Sequence, residues 1–367
     1  MKIECVKDRL LEAIQKIEKV TGKNLTLPIL SCISLETENS SLTLKATNLD
    51  IGIEITIPVK VIEAGKVAIP GSLLLQFLTN IPHSEKITIE HVEGNAVLTT
   101  EQTTTVIKTQ NHDDFPIIPK IFDGKSIEIK PDEFVSGLRS VWYSAAITSM
   151  KPELSSVYIY HDGEESLVFV ATDSFRLAEK KIRTKKMKDF GSVLIPFKNV
   201  TEIVRVLEGV KDSVEVVING NQIAFSWNGV YVVSRIIDGT FPDYKQIVPK
   251  ESKTEVVLLK QDFLQALKLA NVFSDAFNQV VMRVVPGEKL FEIVTRNNDI
   301  GENHNTLDAV LKGEDLTISF NYKYIVDCFQ SIGTDSITLF FQGMGRPLVV
   351  RGVSDQSFMY LVMPMNK

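Results

Sequence analysis

The chain repeats its own landmarks roughly every 125 residues, and that period limits the folds open to it. The phrase Ala46-Thr47-Asn48-Leu49-Asp50-Ile51 returns as Ala171-Thr172-Asp173-Ser174-Phe175-Arg176 and again as Val294-Thr295-Arg296-Asn297-Asn298-Asp299. The three threonines are 125 and 123 residues apart. Ile69-Pro70, Ile195-Pro196 and Phe320-Asn321 keep intervals of 126 and 125. A single continuous core has no reason to keep such a period, so the chain reads as three similar units.

Each unit opens with an amphipathic helical pattern, at Val6 to Val20, Lys130 to Ile147 and Leu259 to Val272. Leu10, Leu11, Ile14 and Ile17 form the first apolar stripe, Phe134, Leu138 and Val141 the second, and Phe263, Ala266, Leu267 and Ala270 the third. Strand-like runs follow, then a second helix, then more alternating strands. Asn219-Gly220 and Asn228-Gly229 are type I′ turn signals, with Glu93-Gly94 and Gln342-Gly343 at comparable places. The first two units close on Phe115-Pro116 and Phe241-Pro242, with linkers near 121–126 and 251–254. The expected fold is α+β, with domains at 1–121, 122–250 and 251–367, each packing two helices on curved antiparallel sheet.

Composition excludes several classes. The 367 residues are 44% hydrophobic and 23% charged, unlike a disordered or collagen-like chain. Lys and Arg number 40 against 46 Asp and Glu, a net charge of −6 without a global basic footprint. Cys5, Cys32 and Cys328 lack metal or redox spacing and read as small apolar fillers of a reduced, cytoplasmic protein. Met1-Lys2-Ile3-Glu4-Cys5 carries no apolar signal core, and no run suits a membrane span.

An enzyme needs a constellation, and none assembles here. There is no GxSxG elbow and no HExxH helix. Asp123-Gly124-Lys125-Ser126 imitates a phosphate loop, but Pro119 stands where its first glycine belongs. The five histidines are scattered, and His112-Asp113-Asp114 is better read as a surface loop than a metal site. No catalytic residue, metal or cofactor is expected. A non-enzymatic repeat scaffold and an unrecognised hydrolase are the classes open at this point.

Four phrases carry a family resemblance over essentially the whole length. They are Thr26-Leu27-Pro28-Ile29-Leu30, Ala171-Thr172-Asp173-Ser174-Phe175-Arg176-Leu177-Ala178, Phe241-Pro242-Asp243-Tyr244 with Val248-Pro249-Lys250, and Tyr360-Leu361-Val362-Met363-Pro364-Met365. In their order and spacing the chain closely resembles the bacterial sliding clamp, the beta subunit of DNA polymerase III. That resemblance implies three DNA-clamp domains per chain and a ring-forming, head-to-tail homodimer around duplex DNA. It also implies a non-catalytic processivity factor, whose partners are the DNA polymerase III catalytic subunit, the clamp loader, and other polymerases and repair proteins carrying clamp-binding peptides.

Residue roles follow from the same resemblance. A partner-peptide pocket would use Leu154, Thr172, Arg176, Leu177, Pro242, Ile247, Val362, Met363, Pro364 and Met365. Its aliphatic and methionine side chains make a surface able to repack around several partners. The bland alternative makes Tyr360 to Met365 a last core strand. Lys198, Arg205, Lys23 and Asn24 are the DNA-contact candidates, and Thr105 and Ile107 would meet Val272 and Phe273 across the dimer interface. Ser174-Phe175 departs from the Gly-His common in the family, adding an aromatic ring beside the pocket. The six expected helical segments hold 10 Lys and Arg against 9 Asp and Glu, a net of +1 within an otherwise acidic chain.

Overall fold

The computed structural model describes residues 1–22, 27–81, 85–121, 123–148, 150–163, 165–184, 190–249 and 251–365. The first repeat runs β1 (Lys2–Val6), α1 (Lys7–Ile17), β2 (Cys32–Glu38), β3 (Ser41–Thr47), β4 (Ile51–Pro58), β5 (Lys60–Glu63), β6 (Lys66–Pro70), α2 (Gly71–Asn80), β7 (Lys86–Val92), β8 (Asn95–Thr99) and β9 (Thr104–Lys108). The second runs β10 (Lys125–Ile129), α3 (Pro131–Val141), β11 (Ser156–His161), β12 (Ser166–Thr172), β13 (Arg176–Arg183), β14 (Ser192–Pro196), α4 (Phe197–Leu207), β15 (Val214–Asn219), β16 (Gln222–Trp227) and β17 (Val230–Arg235). The third runs β18 (Thr254–Leu259), α5 (Lys260–Val272), β19 (Gln279–Val285), β20 (Leu290–Asn297), β21 (Gly301–Thr306), β22 (Val310–Gly313), β23 (Leu316–Asn321), α6 (Tyr322–Asp327), β24 (Ser336–Phe341), β25 (Leu348–Gly352) and β26 (Phe358–Val362).

The apolar stripes explain the helices. Leu10, Ala13, Ile14 and Ile17 of α1 are buried, and Lys16 pairs with Glu12 one turn back at 2.9 Å on the solvent side. Phe263, Ala266, Leu267 and Ala270 of α5 do the same work. Leu11, expected in the first stripe, is only half-buried, and Ala13 takes its place. Small residues recur at this point of the stripe, as Ala13, Gly137 and Ala266. At Gly137 a Cβ would sit 2.4 Å from the Phe169 ring, which packs edge-on against Phe134.

Hairpin chemistry sets the strand ends. Asn228 and Gly229 both have positive φ, at 37° and 76°, and Glu93-Gly94 does likewise at 49° and 74°. The Asn219-Gly220 turn is displaced by one from expectation. Asn219 still pairs with Gln222 as the last strand residue, so Gly220 and Asn221 make the turn.

Among the described residues, all pairs between named strands are antiparallel, and they form four sheets. The chain divides into two compact units, Met1–Asp132 with Lys198–Ile236, and Glu133–Phe197 with Ile237–Lys367. The first unit holds an eight-stranded sheet, β10-β15-β16-β17-β4-β3-β2-β6, and a five-stranded one, β5-β1-β7-β8-β9. The second holds a nine-stranded sheet, β14-β11-β12-β13-β26-β25-β24-β18-β22, and a four-stranded one, β21-β20-β19-β23. These units cut across the repeats because β17 of the second repeat pairs with β4 of the first, and β26 of the third with β13 of the second.

Candidate partner-docking site

The repeated threonine phrase is a turn. Between β12 and β13, Thr172 Oγ1 donates to the Arg176 carbonyl at 2.6 Å and accepts from the Ser174 N–H at 3.1 Å. Asp173 Oδ1 accepts from the N–H groups of Phe175 and Arg176 at 2.9 and 3.0 Å. These bonds hold Ser174 at φ 77°, a left-handed conformation. Thr47, Asn48 and Leu49 make the same turn in the first repeat, with Leu49 at φ 78°. In the third copy Thr295 instead donates to the Ala270 carbonyl at 2.9 Å.

The second-repeat turn is the one that receives the end of the chain. Arg176 pairs with Val362 and Leu177 with Leu361 across β13 and β26. Past the strand, the Met363 N–H donates to the Phe175 carbonyl at 2.8 Å, and the Met365 N–H to the Ser319 carbonyl at 2.9 Å. Met363, Pro364 and Met365 are therefore tied down at either end and half-exposed. Leu177 and Leu361, paired across the two strands, are buried and form the floor. Val362, one of the expected pocket residues, is instead buried on the opposite face of the sheet, across from Arg176. Leu177, Phe241, Tyr244, Val349 and Leu361 share one apolar cluster, against which Met363 packs.

The segment after Phe241 adds the second wall. The Tyr244 N–H donates to the Pro242 carbonyl at 2.7 Å, and the Ile247 N–H to the Tyr244 carbonyl at 3.0 Å. That turn buries Tyr244 and leaves Pro242 and Ile247 exposed, Ile247 by 51%. Leu154 is buried at the close of its own loop, where its carbonyl accepts from the Ala146 N–H at 2.8 Å.

Arg176 stands at the polar rim. Its Nε donates to Asp173 Oδ2 at 3.0 Å, its Nη1 donates to Asp327, and the guanidinium lies 4.8 Å from the Tyr324 ring centre. Burial opposes its charge, but Tyr360, Asp327 and Asp173 outweigh that penalty and raise its pKa. Burial also raises the Tyr324 and Tyr360 hydroxyls, so both stay neutral, and Tyr360 donates to the Tyr324 carbonyl at 2.6 Å. The arrangement is an apolar trough with a fixed cation at one edge, suited to binding rather than bond-making. Among the described residues no cluster of His, Cys, Asp and Glu could hold a metal.

Tyr324 and Asp327 escaped the sequence reading. Their signal was present, since they sit three apart on one face of α6, directly after the Phe320-Asn321 landmark. Only the fold reveals that this face meets Arg176.

The remaining candidates lie elsewhere. Lys198 is exposed on the first turn of α4, with no ion pair among the described residues. Arg205 is paired with Glu202 on its own helix, so its charge is already engaged; burial lowers its pKa, partly offset by Glu18. Lys23 and Asn24 lie outside the described residues. Ile107 is buried and Thr105 half-buried on β9, one of the two edge strands of the five-stranded sheet. Val272 is 62% exposed at the end of α5, whereas Phe273 is half-buried in its own unit.

Family models of the DNA polymerase III beta subunit match the chain in three consecutive stretches. The N-terminal domain matches residues 1–119, the central domain 128–243 and the C-terminal domain 245–366. The Beta sliding clamp of Bacillus subtilis (strain 168) is 29% identical over 377 residues, covering 100% of both chains. Among solved structures, the DNA polymerase sliding clamp from Bacillus subtilis aligns with a TM-score of 0.94 at 26% identity, over 100% of this chain and 99% of that one. The DNA polymerase III beta subunit from Thermotoga maritima aligns at 0.93 and 25% identity, with the same coverage.

Proposed function

The chain belongs to the DNA polymerase III beta subunit family of non-catalytic sliding clamps, and from that premise we propose that two copies close head to tail into a ring around duplex DNA. The observation that carries this reading is the strand order. The nine-stranded sheet joins four strands of the second repeat to five of the third, through β13 and β26. The five-stranded sheet of the first repeat and the four-stranded sheet of the third repeat the two halves of that order, with β9 in the place of β26 and β21 in the place of β13. Each ends on an unpaired strand, which is the edge another chain can extend. Pairing β9 of one copy with β21 of another completes two such sheets, and closure at both consumes every such edge. The domains of this reading are 1–121, 122–250 and 251–367.

A closed ring holds duplex DNA by topology, so its contacts with phosphate can be weak. Lys198 is the exposed cation best suited to such contact, and a nearly neutral set of helices suits sliding rather than tight binding. Clamps assembled by a clamp loader on nicked circular DNA should remain bound through gel filtration and fall off when the circle is linearised. Equal loss from both forms would overturn the ring.

The second role is tethering. The trough around Met363 takes short peptides from the polymerase catalytic subunit, the clamp loader, other polymerases and repair proteins. One buried Leu or Phe anchor is worth roughly 1.5–3 kcal/mol, so two anchors less ordering costs give an exchangeable complex. Met363→Ala with Met365→Ala should weaken a labelled polymerase-tail peptide at least tenfold in fluorescence polarisation, with the dimer intact. Unchanged affinity removes the trough from the reading. A cytoplasmic location follows from work on chromosomal DNA, and no helix among the described residues is long and apolar enough to cross a membrane.

A further inference from the structure

A cavity of about 580 Å³ opens in the first compact unit, between α1, β4, the turn from α4 into β15 and the β16–β17 hairpin. That volume lies within the range of small-molecule sites. Its apolar lining includes Ile55, Val210 and the half-buried Trp227, and on the helix side the small Ala13 leaves room. Trp227 sits on a tethered hairpin. The Thr56 N–H donates to the Gly229 carbonyl at 2.9 Å, and Asn228 Nδ2 donates to Asp212 Oδ2 at 2.6 Å. The charges around the cavity are balanced in number but not equally free. Glu12 is engaged by Lys16 at 2.9 Å, which holds its carboxyl below the usual range, Asp212 is engaged by Asn228, and Glu208 is not free either. Arg9 and Lys211 are exposed and have neither an ion pair nor a side-chain hydrogen bond among the described residues.

We propose that this cavity is a nucleoside-phosphate site, with the base stacked on Trp227 and the phosphates held by Arg9 and Lys211. An indole favours a planar partner, and every base has a flat face to offer it. Two uncommitted cations on one cavity call for more than a single negative charge, and a guanidinium matches phosphate oxygens in particular. A wholly apolar ligand would leave both cations unused, and a cationic one would be repelled by them. The cavity shares no residue with the trough around Met363 or with β9 and β21, so it depends on neither tethering nor ring closure. A free nucleotide and the unstacked end of a single strand carry this chemistry alike. An intact duplex does not, because its bases already stack on one another.

The test uses the full-length protein. The chain has two tryptophans, so a Trp142→Phe background leaves Trp227 as the one indole reporter. ATP should quench its fluorescence saturably, and adenosine should bind about tenfold or more weakly. In calorimetry, Arg9→Gln and Lys211→Gln should each weaken ATP about five- to tenfold, and both lie on the surface, where the fold does not depend on them. Trp227→Leu should weaken it about tenfold or more, with circular dichroism checking that the fold is retained. A 5′-phosphorylated single strand that binds more tightly than ATP, with the same dependence on all three residues, identifies a strand end as the source. The reverse order identifies a free nucleotide. Inorganic pyrophosphate binding as well as ATP, or blunt duplex DNA displacing it, reduces Arg9 and Lys211 to plain phosphate contacts and overturns the proposal. So does the lack of a saturable quench at millimolar ATP, or a quench unchanged by Arg9→Gln with Lys211→Gln.

Discussion

Thr172 shows how one side chain serves both fold and site. Its hydroxyl closes the turn by donating to the Arg176 carbonyl and accepting from the Ser174 N–H, while the ring of bonds from Asp173 aims Arg176 at Asp327. Valine has the same shape without the hydroxyl, so Thr172→Val removes both bonds. The Ser174 N–H is left without its acceptor while the Arg176 carbonyl keeps the Asp173 N–H at 3.3 Å, a loss of about 0.5–1.5 kcal/mol for each bond removed. Peptide affinity should fall with stability, because the same turn positions Phe175 and Arg176. Thr47→Val, which removes the matching bonds of the first repeat, should lose similar stability in urea melts and leave peptide affinity unchanged. Equal peptide losses in both variants would show that the turn acts through global stability alone. The threonine phrase was legible as a landmark, and its asparagine and aspartate as turn formers. The partners of Arg176 were not. Asp327 lies 151 positions away, and no local pattern encodes that approach.

Among the elements, the opening helices were the most readable, because a buried stripe writes its period into the sequence. Their small positions carry a second message that period alone does not disclose. Ala13, Gly137 and Ala266 occupy one site in the three stripes, and at Gly137 the Phe169 ring fills the space a methyl group would need. Two effects oppose each other in Gly137→Ala. Helix propensity favours alanine by about 1 kcal/mol, while overpacking a fully buried ring costs about 1–3 kcal/mol. Phe169 is also pinned edge-on by Phe134 and has little room to move. Sterics should win, lowering the thermal midpoint. A higher midpoint would mean that the ring yields easily. Strand pairing across repeats was the least legible level. Alternation tells which face of a strand is buried, but not which distant edge it joins. Even a local turn slipped by one residue at Asn219, since either of two adjacent pairs could supply the left-handed position.

For the whole molecule, the proposed dimer raises the question of what covers the exposed helix faces of the first and third repeats. Within the second unit, the join between repeats is polar where helices approach. Ser331 Oγ donates to the Ser140 carbonyl and lies 3.0 Å from the Tyr143 hydroxyl. The stripe residues Phe134, Leu138 and Val141 correspond to Phe263, Leu267 and Ala270, a shift of 129 positions, so Ser140 and Tyr143 correspond to Leu269 and Val272. Those two are 49% and 62% exposed. In the first repeat, α2 (GSLLLQFLTN) has no charged residue and leaves Leu73 49% exposed. An apolar surface where the internal join is polar is what a between-chain join requires, because its free energy must also offset lost translational freedom. Val272→Asp therefore tests the dimer more cleanly than a change at half-buried Phe273. Placing a carboxylate in a desolvated join should weaken dimerisation by well over tenfold. Sedimentation equilibrium should then show a mass near 41.0 kDa at concentrations where the parent chain is twice that. The variant's circular dichroism should match the parent's, because Val272 supports no core in its own unit. If it still sediments at the doubled mass, α5 lies outside the join, and the head-to-tail pairing of β9 with β21 loses its helix layer.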